Sequence, residues 1–538
     1  MKSNSLPSLS RNRLLSLAWI ALALNAGAET IETNQIRRPL SLNDCIALSL
    51  ENNLDLRIER HEPRIAEYRW RALRGVYDPV FTVYAKRDFL DQPARVNPDN
   101  LRRQTFIDAQ GQPVTITFID TQNPYEQTVD AVGGGFTGKL PTGMEYELAV
   151  VSDGRAITAF PLPGELLPHG QTNDAFASVA FTLRQPLLKN LWIDADRLNL
   201  QLAKRDLQIS ETDLRAGMMT NVADVMVAYY DLIYARETVR VNQKALDLAR
   251  QLFAETHRRV QVGDLSKLDE SQTESLVETI QADIVAAQQL EAEKQNDLKL
   301  LISDNLVGWL GVDIIPIESL VVVPEVFDRQ ASWEAALLNR PDLEEVRLEL
   351  EKRRILVRYS RNQLYPNLEL IGGVGLQYYG TNPRNAWAQV ADGERPYYSV
   401  GLMLSFPLSR TTARNQYKAS LEAKEQTELR LRKKELKAMS AIDMAAKAIN
   451  SAFRRVEATR KARAYSEEAL TAEEKKFRNG ASTSFLVQEQ QRNLTGARTA
   501  EVQAMADYHK ARTQLQLEEG TILSRNKISV DFHQPRRN

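Results

Sequence analysis

DLRIERHEPRIAEYRWRALRGVYDP, from Asp55 to Pro79, and DLEEVRLELEKRRILVRYSRNQLYP, from Asp342 to Pro366, are two copies of one pattern in a chain of 538 residues. Each copy begins with Asp-Leu and ends at a proline. Because proline cannot continue a helix, each copy predicts a helix that stops and is followed by a strand. At the constant offset of 287 positions four more residues coincide: Arg60/Arg347, Glu62/Glu349, Arg71/Arg358 and Arg74/Arg361.

A second pair of segments follows these copies. SVAFTLRQPLL begins at Ser178, and SVGLMLSFPLS begins at Ser399. Apolar residues alternate with polar or small ones in both, which is typical of strands with one apolar face. The apolar positions are Ala177, Val179, Phe181 and Leu183 in the first segment, and Tyr398, Val400, Leu402, Leu404 and Phe406 in the second.

Two long proline-free stretches follow the strands, from Leu187 to Ile315 and from Leu408 to Gln534. Both are rich in strong helix formers, and their apolar residues recur three or four positions apart, as in coiled coils. A helix from Ile193 to Val262 would be roughly 105 Å long. A glycine in a short polar turn interrupts each stretch: VGDLSKLD, Val262 to Asp269, and NGASTSFL, Asn479 to Leu486.

Each half of the chain therefore predicts a helix, two strands, a very long helix, a turn and another long helix. We expect a first repeat over 29–331, a second repeat over 332–525 and a C-terminal tail over 526–538. The fold class is mainly α with membrane β-strands and an internal two-fold repeat.

The N-terminus predicts an export signal. Lys2, Arg11 and Arg13 precede an apolar core from Leu14 to Leu24, which is too short to span a bilayer as a helix. Ala26-Gly27-Ala28 fits the small-residue cleavage pattern, so we expect a signal peptide over 1–28. The alternative is a cytosolic protein with an apolar start.

The composition favours amphipathic helices over disorder, and nothing in it suggests binding to nucleic acid. The formal net charge is −1, and charged residues make up 26% of the chain beside 43% hydrophobic residues. Cys45 is the only cysteine, which excludes an intramolecular disulfide and suggests a small buried helix position. The five histidines form no ligand pattern, so we predict no catalytic residue, cofactor or metal.

One segment imitates a phosphate-binding loop. GGGFTGKLPTG, from Gly133 to Gly143, fits G-x-x-x-x-G-K as far as Lys139, but Leu140 follows where the magnesium-binding Ser or Thr belongs. Pro141-Thr142-Gly143 is a turn signal, and the residues after it alternate. The segment therefore predicts a β-hairpin.

Four short strands per chain cannot close a barrel, and lipid cannot satisfy an open sheet edge. Three copies of four strands would give 12. The long helices are charged throughout, so they would project into the periplasm instead of lying in the membrane.

With these features together, the chain resembles the TolC-type outer-membrane efflux proteins over nearly all of residues 38–522. The resemblance rests on the duplicated layout and on four segments, none of them specific alone: LSLNDCIALSLENNLDL (Leu40 to Leu56), FTLRQPLL (Phe181 to Leu188), NRPDLEEVRLELE (Asn339 to Glu351) and KFRNGASTSFLVQEQ (Lys476 to Gln490). It implies a homotrimer in outer-membrane lipid, with a 12-stranded transmembrane β-barrel completed by trimerisation and a coiled-coil-like α-helical barrel in the periplasm. It also implies passive exit of substrates after docking to a periplasmic adaptor and an inner-membrane pump.

The first half departs from the simplest family pattern. About 66 extra residues separate its strands, within the range 87–175, as judged from the spacing of Pro79 and Pro186 against Pro366 and Pro407. This insertion either adds barrel strands or forms an extracellular cap.

The resemblance places functional residues at the two glycine turns. It implies adaptor docking at Gly263, Leu265, Ser266, Gly480, Ser482 and Thr483. Acids after these turns can form pore rings, and Asp269 and Glu489 are the candidates. In the alternative interpretations, the small residues merely end helices, the acids face solvent, and the chain is a non-conducting periplasmic coiled-coil scaffold.

Overall fold

The computed structural model describes residues 36–122, 124–160, 170–325, 327–393 and 395–528. Its helices are α1 (Leu42–Asn52), α2 (Leu54–Glu59), α3 (His61–Ala72), α4 (Ala195–Gln261), α5 (Lys267–Ile302), α6 (Arg329–Asn339), α7 (Pro341–Asn362), α8 (Pro383–Asp392), α9 (Thr411–Arg478), α10 (Ser484–Glu518) and α11 (Ile522–Arg525). Its strands are β1 (Ile36–Leu40), β2 (Val80–Gln92), β3 (Arg95–Ile107), β4 (Pro113–Gln122), β5 (Tyr125–Lys139), β6 (Glu145–Ala159), β7 (Gly170–Pro186), β8 (Val312–Pro316), β9 (Asn367–Gly380) and β10 (Pro396–Ser405).

The predicted mainly α fold with strands is confirmed, and so is the duplicated order. The two longest helices, α4 with 67 residues and α9 with 68, follow the last strand of each half. Each ends at a glycine turn and is followed by a second long helix, α5 or α10. The helix α6 runs across residue 331, where we divided the repeats; that division stays a prediction.

The main sheet has six strands in the order β10-β9-β7-β6-β5-β2, and every neighbouring pair is antiparallel. The expected count of four strands per chain is therefore wrong. The insertion supplies β5 and β6, which separate β2 from β7 inside the sheet. It also supplies β3 and β4, which pair with each other as a separate hairpin. The alternation of apolar residues is weak in β5, because Gly133 to Gly135 interrupt it.

The predicted hairpin at the apparent phosphate-binding loop is confirmed. β5 and β6 pair from Lys139 and Glu145 outward, and Gly143 takes a φ of 84° in the turn between them. A Cβ on Gly133 would lie 2.6 Å from the ring of Tyr84 on the neighbouring strand. A Cβ on Gly134 or Gly135 would instead meet the Thr82 carbonyl at 3.0 Å or the Leu148 carbonyl at a shorter distance, so the glycine run gives room to one aromatic ring and to the backbones of the neighbouring strands.

Lys139 has a structural partner at the start of α4. Its Nζ lies 3.0 Å from Oδ2 of Asp194 and 2.5 Å from Oδ2 of Asp196. Arg197 also binds Asp194, whose side chain is 5% exposed. Burial acts to raise the pKa of Asp194, but hydrogen bonds from Arg197 and Lys139 together outweigh it and lower the pKa. These ion pairs hold the inner end of the added hairpin to the first turn of α4.

The chain divides into two compact units, and each takes segments from both repeats. Among the described residues, one contains 36–53, 224–323 and 452–510, and the other contains those within 54–223, 324–451 and 511–528. The first unit holds a short parallel pair, β1 with β8, beside the buried Tyr229, whose hydroxyl donates to Glu318 and lies 3.1 Å from the Leu40 carbonyl oxygen. The second unit holds the six-stranded sheet.

Cys45 is fully buried in α1, as predicted from its sequence position. The proposed signal peptide over 1–28 and most of the tail over 526–538 lie outside the described residues. Among the helices in the described part of the chain, none is both long enough and apolar enough to cross a membrane.

Candidate functional site

The two glycine turns have the same backbone. Gly263 and Gly480 have φ angles of 83° and 72°, a left-handed conformation that glycine adopts without strain. In the first turn the amide of Asp264 donates to the Arg259 carbonyl at 2.9 Å. In the second, the amide of Ala481 donates to the Lys476 carbonyl at 2.8 Å. These bonds, together with those from the glycine amides, form the Schellman motif that ends a helix.

The helix after each turn begins at an equivalent position but is capped differently. Ser266 and Asp269 form a capping box at the start of α5: the Ser266 hydroxyl accepts from the Asp269 amide, and Asp269 Oδ2 accepts from the Ser266 amide at 3.2 Å. In the second turn Thr483 Oγ1 accepts from the Leu486 amide at 3.4 Å. Leu486 stands where the box needs an acid, so only the first turn has a reciprocal cap.

Side chains of the first turn bind the second. The guanidinium of Arg259 donates to the carbonyls of Phe477 and Arg478, both at 3.0 Å, at the C-terminal end of α9. Its charge also complements the negative end of that helix. The Ser484 hydroxyl donates to Oδ1 of Asp269 at 3.0 Å. The two turns are therefore joined into one tip.

An apolar cluster in the adjoining helices packs next to this tip. Its buried members are Leu252, Leu470, Phe477, Val487 and Leu494. Leu265, in the first turn, is partly buried against the same cluster. Since the cluster joins residues of α4, α9 and α10, it fixes the two helical hairpins side by side near their turns.

The surface of the tip exposes large apolar residues that sequence reasoning missed. Val262 is 75% exposed, Leu268 is 68% exposed and Phe485 is 58% exposed. All three flank the glycine turns. The sequence signal that could have identified them is an apolar residue at a helix end, where the coiled-coil packing between helices no longer requires one. Such side chains mark interaction sites when they cluster on one surface.

The predicted tip residues are brought together, but several have structural roles. Gly263 and Gly480 end helices, Ser266 caps α5, and Leu265 packs inward. The Ser482 hydroxyl donates to Glu473 on α9, and this bond lowers the pKa of Glu473. Thr483 is exposed and caps α10.

The two candidate ring acids have different surroundings. Both carboxylate oxygens of Asp269 accept hydrogen bonds, and the bond from Ser266 is the main cause that lowers its pKa. Glu489 is exposed on α10. That Asp269 and Glu489 face a pore stays a prediction. Among the described residues, no group of three or more His, Cys, Asp or Glu side chains could hold a metal ion.

Comparison with solved structures identifies the fold. A membrane protein from Pseudomonas aeruginosa aligns with a TM-score of 0.61 and 16% identity, covering 92% of this chain and 93% of its own. The open state of the Neisseria gonorrhoeae MtrE outer membrane channel has a TM-score of 0.61 and 15% identity, with 90% and 89% covered. The outer membrane protein VceC from Vibrio cholerae has a TM-score of 0.60 and 14% identity, with 89% and 96% covered.

No match was found among curated protein sequences. The sequence profile of the outer membrane efflux protein family, however, matches residues 177–303 and 333–520, which is more than half of the chain. The matched ranges include α4, α9, both tip turns and the strands β9 and β10. The chain therefore belongs to the outer membrane efflux protein family.

Proposed function

We propose that this protein is an outer-membrane channel that gives substrates passive exit in a tripartite efflux or type I secretion system. Its tip docks to a periplasmic adaptor, which connects it to an inner-membrane transporter. The observation that carries this proposal is the joined tip, where Val262, Leu268 and Phe485 project from a surface braced by Arg259 and Asp269.

The chemistry of this tip suits a helical partner. Its exposed apolar side chains are separated by polar turn residues, so it offers a few apolar anchors in a polar rim. The Schellman turns fix the backbone, which lowers the entropy lost when a partner binds. We infer that the adaptor presents an apolar helical edge to these three residues.

Assembly as a homotrimer is supported by an apolar stripe on α9. Leu429, Leu436 and Met444 are between 62% and 64% exposed, and Leu421 is 40% exposed. At about 100° per residue, their spacing of seven or eight positions spreads them over an arc of about 140° on the helix. A charged helix with such a stripe is stabilised by packing against another copy.

Docking is tested by photo-crosslinking residues introduced at Leu268 and Phe485, with a candidate periplasmic adaptor from the same organism co-expressed. We expect both positions to crosslink to the adaptor. Val285 is the matched control because it is equally apolar and 64% exposed but lies in α5, well beyond the turn. A crosslink from Val285 alone would place docking elsewhere on the helices.

Conduction is tested separately with purified protein in planar bilayers. A channel gives discrete current steps, whereas the alternative, a non-conducting periplasmic scaffold, gives none and leaves the outer-membrane fraction on washing. We expect detergent-resistant trimers in the outer membrane. Membrane-free protein without current would overturn the channel proposal even if the adaptor crosslinks.

A further inference from the structure

The insertion in the first half adds two strands to the main sheet, and this changes how copies of the chain can assemble. β5 and β6 each have 15 residues, and their neighbours β2 and β7 pair with them along their lengths. They occupy the middle of the sheet, so they cannot be removed without bringing β2 and β7 together. A cap attached to the outer ends of four strands would leave β2 beside β7.

The added strands continue the apolar face of the sheet. One row across all six strands is set by the pairing register and consists of Phe81, Phe136, Leu148, Phe181, Val374 and Tyr398. The next row outward contains Val83, Val150, Val179 and Leu376 on the same face. Alternate residues such as Glu147, Thr182 and Ser399 lie on the other face. The added strands thus share the division between lipid-compatible and water-compatible sides.

The apolar face has an outer limit, and the added strands share that limit too. Further out, Arg87 on β2 binds Asp130 on β5 through two short contacts of 2.5 and 2.7 Å. In the same row Ala175 lies under α8, where Ala386 is fully buried against the sheet. This row, which is polar on β2 and β5 and covered by α8 on β7, therefore marks the outer limit of the apolar face. The limit is the same on the added strands as on the others.

Within one chain the sheet ends at two free edges, β2 and β10. Both edges are apolar and exposed: Val83 is 64% exposed, and Val400 is 80% exposed. Because six antiparallel strands are an even number, β2 and β10 run in opposite directions. The edge β10 of one copy can thus pair antiparallel with β2 of the next, and in lipid an unpaired edge is not tolerated.

We propose that β2 of each copy pairs with β10 of its neighbour, and that three copies of this six-stranded sheet close a barrel of 18 strands. This inference rests on the proposed trimeric channel and departs from the 12 strands that the resemblance implied. Barrel diameter grows about linearly with strand number, so the outer-membrane segment is about 1.5 times as wide as a 12-stranded one. The insertion widens the exit and leaves the duplicated helices unchanged.

The edge pairing is tested by disulfide crosslinking of purified trimers. Thr82→Cys on β2 is combined, one at a time, with cysteines at alternate positions of β10 that share its face: Tyr397, Ser399, Gly401, Met403 and Ser405. We expect one or two pairs to give covalent dimers and trimers under denaturing conditions. The control pair, Gly373→Cys with Ser399→Cys, joins paired residues of one chain and should leave a monomer.

A third pair tests the competing arrangement, in which β5 and β6 form a cap and β2 lies beside β7. Thr82 and Thr182 are separated by β5 and β6 and by two residues along the strands, which places them about 16 Å apart, beyond disulfide reach. An intramolecular disulfide between Thr82→Cys and Thr182→Cys would mean that β5 and β6 lie outside the wall, and the 18-stranded barrel would be excluded.

Spin labelling measures the width directly. Gln377→Cys places one exposed label on β9 of each copy, and three copies form an equilateral triangle. We expect label separations about 1.5-fold larger than for an equivalent position in a 12-stranded family member. Equal separations would overturn the inference. The native mass of the same sample identifies a different failure: a monomer would contradict the trimeric channel itself.

Discussion

The two tip turns share the same backbone conformation but differ in the contacts that their side chains make. Both end a long helix in a Schellman motif with glycine at the left-handed position. Four residues before that glycine the first turn has Arg259 and the second has Lys476. Arg259 reaches across to the carbonyls of α9, whereas Lys476 binds Glu473 within its own helix at 3.0 Å.

The same asymmetry is found after the glycines. Asp269 closes a capping box in the first turn, and Leu486 occupies that position in the second. The repeat therefore preserves what the backbone requires and differs where the two turns must recognise each other. The first turn provides the bracing groups, and the second provides the carbonyls and the Ser484 hydroxyl that they bind.

The strongest test of the shared backbone is substitution of the glycines. Gly263→Val and Gly480→Val force a β-branched residue into a left-handed conformation, at a cost of about 2–3 kcal/mol each. We expect similar losses of protection in hydrogen exchange of the two turns. Gly496→Ala is the control, since Gly496 lies within α10 and a Cβ there meets nothing within 4 Å. Unequal effects of the two valines would show that the turns differ in their backbones.

The bracing asymmetry predicts unequal effects of two basic residues. Arg259→Ala removes two hydrogen bonds to carbonyls and should cost about 1–2 kcal/mol of local stability. Lys476→Ala should cost far less, because the Lys476 side chain is 59% exposed and its ion pair is local. Hydrogen exchange of the C-terminal turn of α9 measures both. Equal protection in the two variants would remove Arg259 from its bracing role.

The capping box predicts that the start of α5 responds to acid, whereas the start of α10, which is capped by the Thr483 hydroxyl, does not. The pKa of Asp269 is lowered in the folded protein, chiefly by the Ser266 hydroxyl, so its stabilisation is complete above the unfolded pKa of about 3.9. That stabilisation is lost as the pH falls through the folded pKa. We expect α5 to fray first in this range, by about 1 kcal/mol, while α10 stays protected.

Asp269→Ala should give the two turns similar rates of hydrogen exchange at neutral pH. It should also remove the acid response of the first turn. An acid response that persists in this variant would have to come from another group.

The smallest effect concerns the predicted pore acids. If three copies bring these acids close, two unit charges 6 Å apart interact by roughly 3 kcal/mol at an effective dielectric of about 20, and exposure to salt reduces this further. We expect Glu489→Gln to raise the blocking concentration of a trivalent cation several-fold in planar bilayers. Asp269→Asn should have a weaker effect because both its oxygens are bound in the tip. An unchanged block in both variants would place the two carboxylates outside the pore.

Local signals explain which parts were predictable. Proline positions, helix periodicity and turn glycines are read within a few residues, and they located α4, α9 and both tip turns. Strand pairing is not local. The glycines from Gly133 to Gly135 hide the alternation of β5, and β1 pairs with β8 although 276 positions separate Ile36 from Val312. Arg259 and the exposed Phe485 depend on how two distant hairpins meet, which periodicity does not encode.

Cys45 has a practical consequence for the chemistry of this protein. Its thiol is fully buried in α1, and burial raises its pKa to about 12. Only a thiolate reacts with maleimides, disulfides and thiosulfonate reagents at useful rates. The native chain is therefore already chemically silent toward thiol probes, and a single cysteine introduced on any exposed strand or turn reports on that site alone.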